Sequence, residues 1–326
     1  MTTLLEIEQV SKSFPVRGSS IGGATRTLRA VDDVSLALNA GETLGIVGES
    51  GCGKTTLARL VLRLLEPSQG AIRFAGTDIS HKTEAELRPL RAQLQVVFQD
   101  PYSSLNPRLR VRDIVAEPLR NLGWGRSRID ARVDEVLDIV GLPIEYATRY
   151  PHAFSGGQRQ RIGIARALAP SPRMIVCDEA VSALDVSIQA QILNLMQDIQ
   201  VRFGLALLFI SHNLAVVRHV SHRIAVMYLG RVVELASEPD LFAKPLHPYT
   251  VALISAVPEP DPGARSTMLA IDGELPSPIN PPSGCHFHTR CPIARERCKV
   301  DAPEFREVVP GRFTRCHFPG EFEAPR

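Results

Sequence analysis

Residues 43–55 read TLGIVGESGCGKT, an apolar strand pattern that runs directly into a glycine-rich turn. A helical pattern follows and stops before Pro67; its apolar face consists of Leu57, Leu60, Val61, Leu64 and Leu65. A strand, the spacing G-x-x-x-x-G-K-[ST] and a helix in this order predict a loop that wraps around phosphate groups. The alternative is a glycine-rich turn that merely precedes a helix, and the complete motif in this context disfavours it.

The side chains of this loop favour a nucleoside triphosphate held with magnesium. Backbone N–H groups at a helix N-terminus attract anions. Lys54 adds a cation, and Thr55 offers a hydroxyl ligand for Mg²⁺. We expect the nucleotide-binding residues of this stretch to be Gly48, Ser50, Gly51, Gly53, Lys54, Thr55 and Thr56.

A second apolar strand pattern, residues 174–177, ends in two adjacent carboxylates. Asp178 is placed to hold the Mg²⁺ ion, and Glu179 is placed to take a proton from an attacking water. Two acidic residues at this position can also cap a helix. Beside a phosphate loop, however, the pair predicts hydrolysis of the bound nucleotide.

The organisation of the chain follows from its apolar runs and its prolines. Its 326 residues exceed the usual size of one hydrophobic core, and strand runs alternate with helical patterns, which predicts an α/β fold with a largely parallel sheet. Residues 100–170 show helical patterns without clear strands, so we expect a helical subdomain inserted there. Fifteen of the 25 prolines lie from Pro239 to Pro325, which predicts a boundary near residue 240 between domains 1–240 and 241–326.

Composition excludes several classes of protein. The 37 Lys and Arg balance 35 Asp and Glu without a basic tract, which gives little support for nucleic-acid binding. The longest apolar runs are six residues, far below the roughly 20 that span a bilayer. The first ten residues lack the features of a secretory signal, so the cytoplasm is the expected compartment.

Four of the six cysteines lie near the C-terminal end, at Cys285, Cys291, Cys298 and Cys316. In a reducing compartment such a group suggests metal ligation more than disulfides. Five, six and seventeen residues separate neighbouring cysteines, which matches neither a standard zinc ribbon nor a common ferredoxin run. The spacing alone therefore leaves zinc, an iron-sulfur cluster and free thiols open.

Five further short motifs make the chain resemble ABC ATPases from residue 4 to about residue 320. Taken alone, each has an ordinary interpretation as a turn, a cap, a solvated loop or core packing; their joint order carries the resemblance. A signature-like motif lies in FSGGQRQR, residues 154–161, and the other four are a Q-loop, a D-loop, a switch histidine and an adenine-stacking aromatic. The residues concerned are Ser155, Gly156, Gly157 and Gln158, then Gln99, Asp185, His212 and Phe14.

Within that family the chain is most similar to the ATPase subunits of oligopeptide and dipeptide importers. The finer match lies in QDPYSSLNPR (99–108), ALDVSIQAQ (183–191), HPYT (247–250) and the cysteine-bearing tail. One departure is Ala180, where the family usually has proline. The resemblance implies a 4Fe-4S cluster at the four cysteines, with zinc and free thiols as the alternatives.

The resemblance also implies roles for the site residues. Glu179 acts as general base, His212 orients the γ-phosphate and the water, and Gln99 links metal and γ-phosphate to the helical subdomain. The magnesium ligands are then Thr55, Gln99 and Asp178. ATP is expected between the phosphate loop of one subunit and the signature of a second.

The resemblance implies an ATPase subunit at the cytoplasmic face of the inner membrane that drives solute import. The solutes implied are di- and oligopeptides. The implied partners are a second ATPase subunit, often a paralogue, two transmembrane permeases and an external solute-binding protein, with no nucleic acid. The permeases are expected to dock near residues 102–106. The alternatives are import of nickel, glutathione or another small solute, a soluble ABC ATPase acting on ribosomes or DNA, and a non-catalytic binding module.

Overall fold

The computed structural model describes residues 2–16, 26–100, 102, 104–256 and 273–323. The strands are β1 (Thr3–Val16), β2 (Arg26–Asn39), β3 (Thr43–Val47), β4 (Gln69–Phe74), β5 (Thr77–Asp78), β6 (Leu94–Val97), β7 (Met174–Asp178), β8 (Ala206–Ile210), β9 (Arg223–Tyr228), β10 (Arg231–Ser237), β11 (Arg306–Val309) and β12 (Arg312–Thr314). The helices are α1 (Lys54–Val61), α2 (Glu84–Arg91), α3 (Val111–Asn121), α4 (Arg126–Ile139), α5 (Gly156–Leu168), α6 (Val186–Phe203), α7 (Leu214–Val220), α8 (Glu238–Ala243), α9 (Pro248–Ser255) and α10 (Glu296–Val300).

These elements form two compact units. The first unit consists chiefly of His81–Ser211, with Leu38–Thr43. The second consists of Leu5–Ala37, Leu44–Ser80 and His212–Arg326. Within the described residues, no helix combines the length and the apolar character that crossing a bilayer requires.

Parallel strands β6, β7 and β8 form the sheet of the first unit. Met174 at the start of β7 faces Leu94 of β6 on one side and Ala206 of β8 on the other. Strand β8 is buried throughout and β7 is buried up to its last residue, as expected for parallel strands covered on both faces. The predicted parallel α/β arrangement is confirmed here.

Helices α3, α4 and α5 pack on one another in the first unit and form the predicted helical subdomain. Each contributes an apolar face with fully buried members, including Val115 of α3, Val136 of α4 and Ile164 of α5. Arg132 of α4 donates hydrogen bonds to the carbonyls of Leu168 and Ala169, both at 3.0 Å, at the C-terminal end of α5. Those carbonyls have no partner within their own helix, so the arginine caps the helix from a neighbouring element.

The second unit contains one antiparallel sheet and one mixed sheet. The antiparallel sheet has the order β2-β1-β4-β5. In the other, β3 pairs with β9 in parallel, and β9, β10, β12 and β11 continue antiparallel. The C-terminal strand β12 pairs with β10 through Glu234 opposite Thr314 and Leu235 opposite Phe313. The region beyond residue 240 therefore extends a sheet whose other strands, β3, β9 and β10, precede residue 240.

The apolar face predicted after the phosphate loop is partly wrong. Leu57, Leu60 and Val61 are fully buried, but α1 ends at Val61. Arg63 then adopts a left-handed backbone at φ 50°, which turns Leu64 outward to 54% exposure. A left-handed residue breaks the helical period, so the apolar spacing beyond Val61 no longer reports one face.

Candidate functional site

The phosphate loop after β3 closes around its own lysine. Lys54 is 5% exposed, and its Nζ donates to the carbonyl oxygens of Gly48 at 2.7 Å and Glu49 at 3.0 Å. Gly53 holds φ +107°, and a Cβ there would lie 2.1 Å from the carbonyl oxygen of Ala30. Only glycine fits this position, which explains the second glycine of the motif.

Of the other nucleotide ligands predicted around this loop, Gly48 is buried and the rest reach its surface. Ser50, Gly51 and Thr55 are exposed, and Thr56 is half-buried. Phe14 of β1 is also half-buried, with Lys12 Nζ 5.3 Å from the centre of its ring. Since Phe14 is outside the buried core, its ring retains a surface on which a base could stack.

Asp178, predicted to hold Mg²⁺, and Glu179, predicted as general base, lie at the carboxyl end of β7 in the first unit. Glu179 has a left-handed backbone at φ 51°, and its N–H donates to the carbonyl oxygen of Ile210 at 2.9 Å. Gln99 Nε2 donates to Glu179 Oε2 at 2.8 Å. Residues separated by 80 positions are thus brought into direct contact, as the assignment of Gln99 to the same site requires.

The signature residues form the N-terminus of α5. Ser155 is the N-cap: its Oγ accepts from the N–H of Gln158 at 3.4 Å, and Gln158 Oε1 accepts from the N–H of Ser155 at 3.1 Å. This reciprocal capping box leaves Ser155 at the surface. Gly157 is buried because α6 passes close by, and a Cβ there would lie 2.4 Å from Ile188 Cγ2.

The remaining predicted site residues are divided between the two units. Asp185 is the exposed N-cap residue of α6 in the first unit, which also holds Gln99, Ser155, Gly156, Gly157, Gln158, Asp178 and Glu179. His212 is exposed in the second unit, one residue before the N-cap of α7, Asn213. Phe14 and the phosphate loop belong to that second unit too.

The expected docking surface at residues 102–106 is only partly available for contact. Tyr102 is 62% exposed, and the guanidinium of Arg159 lies 3.9 Å from the centre of its ring. Leu105, however, is 2% exposed and belongs to the core of the first unit. With Leu105 buried, the docking expectation rests on the exposed Tyr102.

The four C-terminal cysteines line one small cavity of the second unit. Its walls are formed by Cys285, Cys291, Cys298 and Cys316 together with His247, Pro248, Phe287, His288, Ile293, His317 and Phe318. Burial, reinforced by the other cysteines, raises the pKa of Cys291 to about 11 and that of Cys316 to about 12. Across the described ranges, no group of three or more His, Cys, Asp or Glu is arranged to hold a metal ion. The donor set suits a thiolate-ligated metal, but the predicted 4Fe-4S cluster is not supported by this arrangement.

Sequence reasoning missed two contacts that the C-terminal region makes with the phosphate loop. Arg290, next to Cys291, forms an ion pair with Glu49. Tyr249 Oη accepts a hydrogen bond from the N–H of Glu49 at 2.9 Å. Separations of 241 and 200 residues leave no local pattern that could have indicated either contact.

Two family models match the chain. Residues 31–182 match the model described as "ABC transporter", and this range includes the phosphate loop, Gln99, the signature motif and the predicted site residues Asp178 and Glu179. Residues 233–298 match the model described as "Oligopeptide/dipeptide transporter, C-terminal region". Three of the four C-terminal cysteines fall in that second range.

Whole-chain comparisons agree with these matches. The oligopeptide transport ATP-binding protein AppF of Bacillus subtilis is 52% identical over 320 residues, which cover 97% of this chain and 97% of AppF. The structure of cbiO1 from Clostridium perfringens, part of the ABC transporter complex cbiONQ, has a TM-score of 0.65 at 26% identity and covers 74% of this chain and 92% of cbiO1. The dimeric post-hydrolysis structure of the ATP-binding cassette MJ0796, bound to ADP and Pi, has a TM-score of 0.64 at 27% identity and covers 72% of this chain and 99% of that cassette.

Proposed function

Because the chain belongs to the ABC transporter family, and within it to the ATP-binding subunits of oligopeptide importers, we propose that it hydrolyses ATP to drive the import of di- and oligopeptides. The contact that carries this proposal is the hydrogen bond from Gln99 to Glu179 at the end of β7. It joins a carboxylate suited to general-base catalysis with a loop that leads into the helical subdomain. Hydrolysis and movement of that subdomain can therefore be linked.

The proposed division of labour follows the chemistry of each group. Lys54 binds phosphate, Glu179 takes the proton of the attacking water, and His212 orients that water and the γ-phosphate. Thr55, Asp178 and Gln99 are the proposed ligands of Mg²⁺, an ion that prefers oxygen ligands. Adenine is proposed to stack on Phe14. The other nucleotide contacts proposed are Gly48, Ser50, Gly51, Gly53, Thr56, Ser155, Gly156, Gly157, Gln158 and Asp185.

The subunit is proposed to work as half of a pair. Ser155 caps α5 at the surface, so the anion-attracting N-terminus of that helix faces outward. A second subunit could place its ATP there, and MJ0796 is a cassette of this family described as a dimer. The partner proposed is a paralogous ATPase, with ATP closing the pair and hydrolysis opening it.

The pair is proposed to lie at the cytoplasmic face of the inner membrane beneath two permease subunits, with an external protein delivering the solute. We divide the chain into an ATPase domain, residues 1–240 with its helical subdomain at about 100–170, and a C-terminal extension, residues 241–326. Tyr102 is the proposed permease contact, because it is exposed and follows Gln99 closely. A Tyr102→Glu variant should reduce co-purification of the permeases, and unchanged co-purification would remove this assignment.

A 4Fe-4S cluster at Cys285, Cys291, Cys298 and Cys316 remains part of the proposal. Its support is that the four thiols share one cavity with apolar neighbours, a setting suited to thiolate ligation. When bound, a cluster would tie the four cysteines together. Iron and acid-labile sulfide measured in anaerobically purified protein test this assignment: about four of each per chain are expected for a 4Fe-4S cluster, while zinc or no metal would exclude it.

The central test replaces the proposed general base. Glu179→Gln keeps the size of the side chain and one acceptor oxygen for Gln99, but the amide cannot accept the proton. In the reconstituted transporter, we expect phosphate release to fall by about 10² to 10⁴-fold while ATP binding is retained. A matched control is Glu145→Gln, which alters an exposed carboxylate of the same unit.

The two measurements separate the possible outcomes. A Glu179→Gln transporter that releases phosphate at the parental rate would refute the proposed mechanism. Loss of ATP binding together with turnover would instead indicate that Glu179 supports the structure of the site. The Glu145→Gln transporter should behave as the parent in both assays, because that side chain is exposed to solvent.

A further inference from the structure

A buried arginine of the C-terminal region reaches into the phosphate loop. Arg290 Nη1 lies 3.0 Å from Glu49 Oε2, and Nη2 lies 3.2 Å from Glu49 Oε1. The arginine side chain is 8% exposed and the glutamate side chain 26%. Two parallel hydrogen bonds fix both the distance and the orientation of the carboxylate, which a single contact would not do.

The same loop residue is held a second time through its backbone. Tyr249 Oη accepts a hydrogen bond from the N–H of Glu49 at 2.9 Å, and Tyr249 is fully buried. Its ring packs at 4.8 Å from that of Tyr228 and at 5.5 Å from that of Phe287, which is 1% exposed. These three rings form an aromatic cluster whose member Phe287 lies between Cys285 and Arg290 in the chain.

Glu49 is also one of the two loop residues, with Gly48, whose carbonyl oxygens accept hydrogen bonds from Lys54. Lys54 Nζ donates to the carbonyl oxygen of Glu49 at 3.0 Å. The N–H of Glu49 is thus fixed by Tyr249, its carboxylate by Arg290, and its carbonyl by Lys54. A shift of the C-terminal region would move this residue, and misplacement of a binding group by about 1 Å can cost as much as 10²-fold in rate.

We propose that Arg290 and Tyr249 are positioning residues for the phosphate loop, through which the cysteine-bearing segment 285–298 sets the affinity for ATP and responds to its binding. This inference rests on the proposed function, since it assumes that the loop binds ATP. It adds a regulatory connection to that function. Because coupling between two sites is reciprocal in binding free energy, ATP must also stabilise the segment if the segment favours ATP.

The first test measures ATP affinity in the full-length protein with variants of graded severity. Arg290→Ala should weaken binding of Mg-ATP by about fivefold or more, the usual lower range of coupling between sites. Arg290→Lys should fall between parent and alanine, because lysine keeps the charge but cannot form the two parallel bonds. Tyr249→Phe should also weaken binding, because it removes the acceptor of the Glu49 N–H. The control is Arg297→Ala, whose side chain is 64% exposed and pairs with Asp301.

The second test measures the reverse effect, which a merely structural ion pair would not produce. Amide hydrogen exchange of peptides covering residues 285–298 is followed with and without saturating Mg-ATP. In the parent and in Arg297→Ala, ATP should slow exchange of this segment. In Arg290→Ala, ATP added to the same fractional saturation should leave exchange unchanged. Circular dichroism and the urea midpoint of each variant establish that it is folded, and Tyr249→Phe provides the second variant if Arg290→Ala is not.

The possible results distinguish failure of this inference from failure of the proposed function. If the parent fails to bind ATP, the proposed function is wrong. If the parent binds ATP while Arg290→Ala and Tyr249→Phe bind it equally well, the positioning role is wrong and the function stands. Unchanged exchange of segment 285–298 in the parent on ATP binding would likewise refute the coupling.

Discussion

The two signature glycines should respond very differently to the same small substitution. Gly157→Ala would place a Cβ 2.4 Å from Ile188 Cγ2, where ordinary van der Waals contact begins at 3.4 Å. Helices α5 and α6 would therefore have to separate locally by about 1 Å, or Ile188 would have to leave its position. In Gly156→Ala, the nearest atom is Leu184 Cδ2 at 3.4 Å, so the methyl group fits.

The expected cost follows from this overlap. Overpacking a well-packed contact usually destabilises by about 1 to 3 kcal/mol, and we expect Gly157→Ala to fall within that range. Neither glycine has a positive φ, so alanine introduces no backbone strain at either position. Gly156→Ala should remain within about 0.5 kcal/mol of the parent, because alanine also favours the helix over glycine.

Urea unfolding of the purified chain, followed by circular dichroism, measures both variants against the parent. A third variant provides the decisive comparison: Ile188→Ala removes the atom that the new methyl group meets, so it should restore much of the stability lost in Gly157→Ala. Equal midpoints for Gly156→Ala and Gly157→Ala would refute the steric argument. So would an Ile188→Ala/Gly157→Ala double variant whose loss equals the sum of the two single losses.

Three further predictions concern two buried ionisable residues, Glu234 and Cys177. Glu234 is fully buried and accepts from the N–H groups of Leu246 at 2.7 Å and His247 at 2.9 Å, so Glu234→Ala should destabilise the chain to urea by about 2 to 5 kcal/mol. Burial raises the pKa of Glu234, because it disfavours the charged carboxylate, so the protonated carboxyl favours the folded state. This contribution to stability is fully present below the ordinary pKa of glutamate and is lost as the pH rises through the raised value; Glu234→Gln should lack this slope in urea midpoints measured across pH. Burial also raises the pKa of Cys177 to about 12. Iodoacetamide at pH 8 should therefore leave this thiol unmodified in the native chain and modify it in urea, as measured by mass spectrometry. Labelling of native Cys177 at the rate of the unfolded chain would contradict its burial.

The parts of the fold predicted from sequence are those whose physical cause is local. The phosphate loop is a short stretch in which strand, glycines and helix follow one another, so the spacing of Gly53 and Lys54 carries the geometry. Ser155 and Gln158 form a capping box three residues apart, so the start of α5 could be inferred as well. Leu64 shows the limit: it was predicted on the buried face of the helix, but the left-handed backbone of Arg63 leaves it exposed.

The parts that could not be predicted depend on contacts between distant segments. No periodicity relates Glu49 to Arg290, or α5 to the carbonyl-capping Arg132 of the neighbouring helix. The cysteine spacing predicted a common location, and the four thiols do share a cavity, but their arrangement around a metal depends on packing that spacing does not encode. Sequence reasoning therefore found the chemical groups and missed the connections among them.

Those connections show how the C-terminal extension can be ordered. Fixing a residue costs about 1 to 2 kcal/mol, so a bound structural metal, contributing about 10 to 16 kcal/mol, could not order the whole segment. The described part of the extension has other anchors: β12 pairs with β10, Arg315 Nη2 lies 3.0 Å from Asp33 Oδ2, and Arg290 pairs with Glu49. These contacts involve no cysteine. Segment 285–298 can therefore be held against the phosphate loop whether or not its thiols bind a metal, and a metal bound there would act on ATP affinity through a connection that the polypeptide already provides.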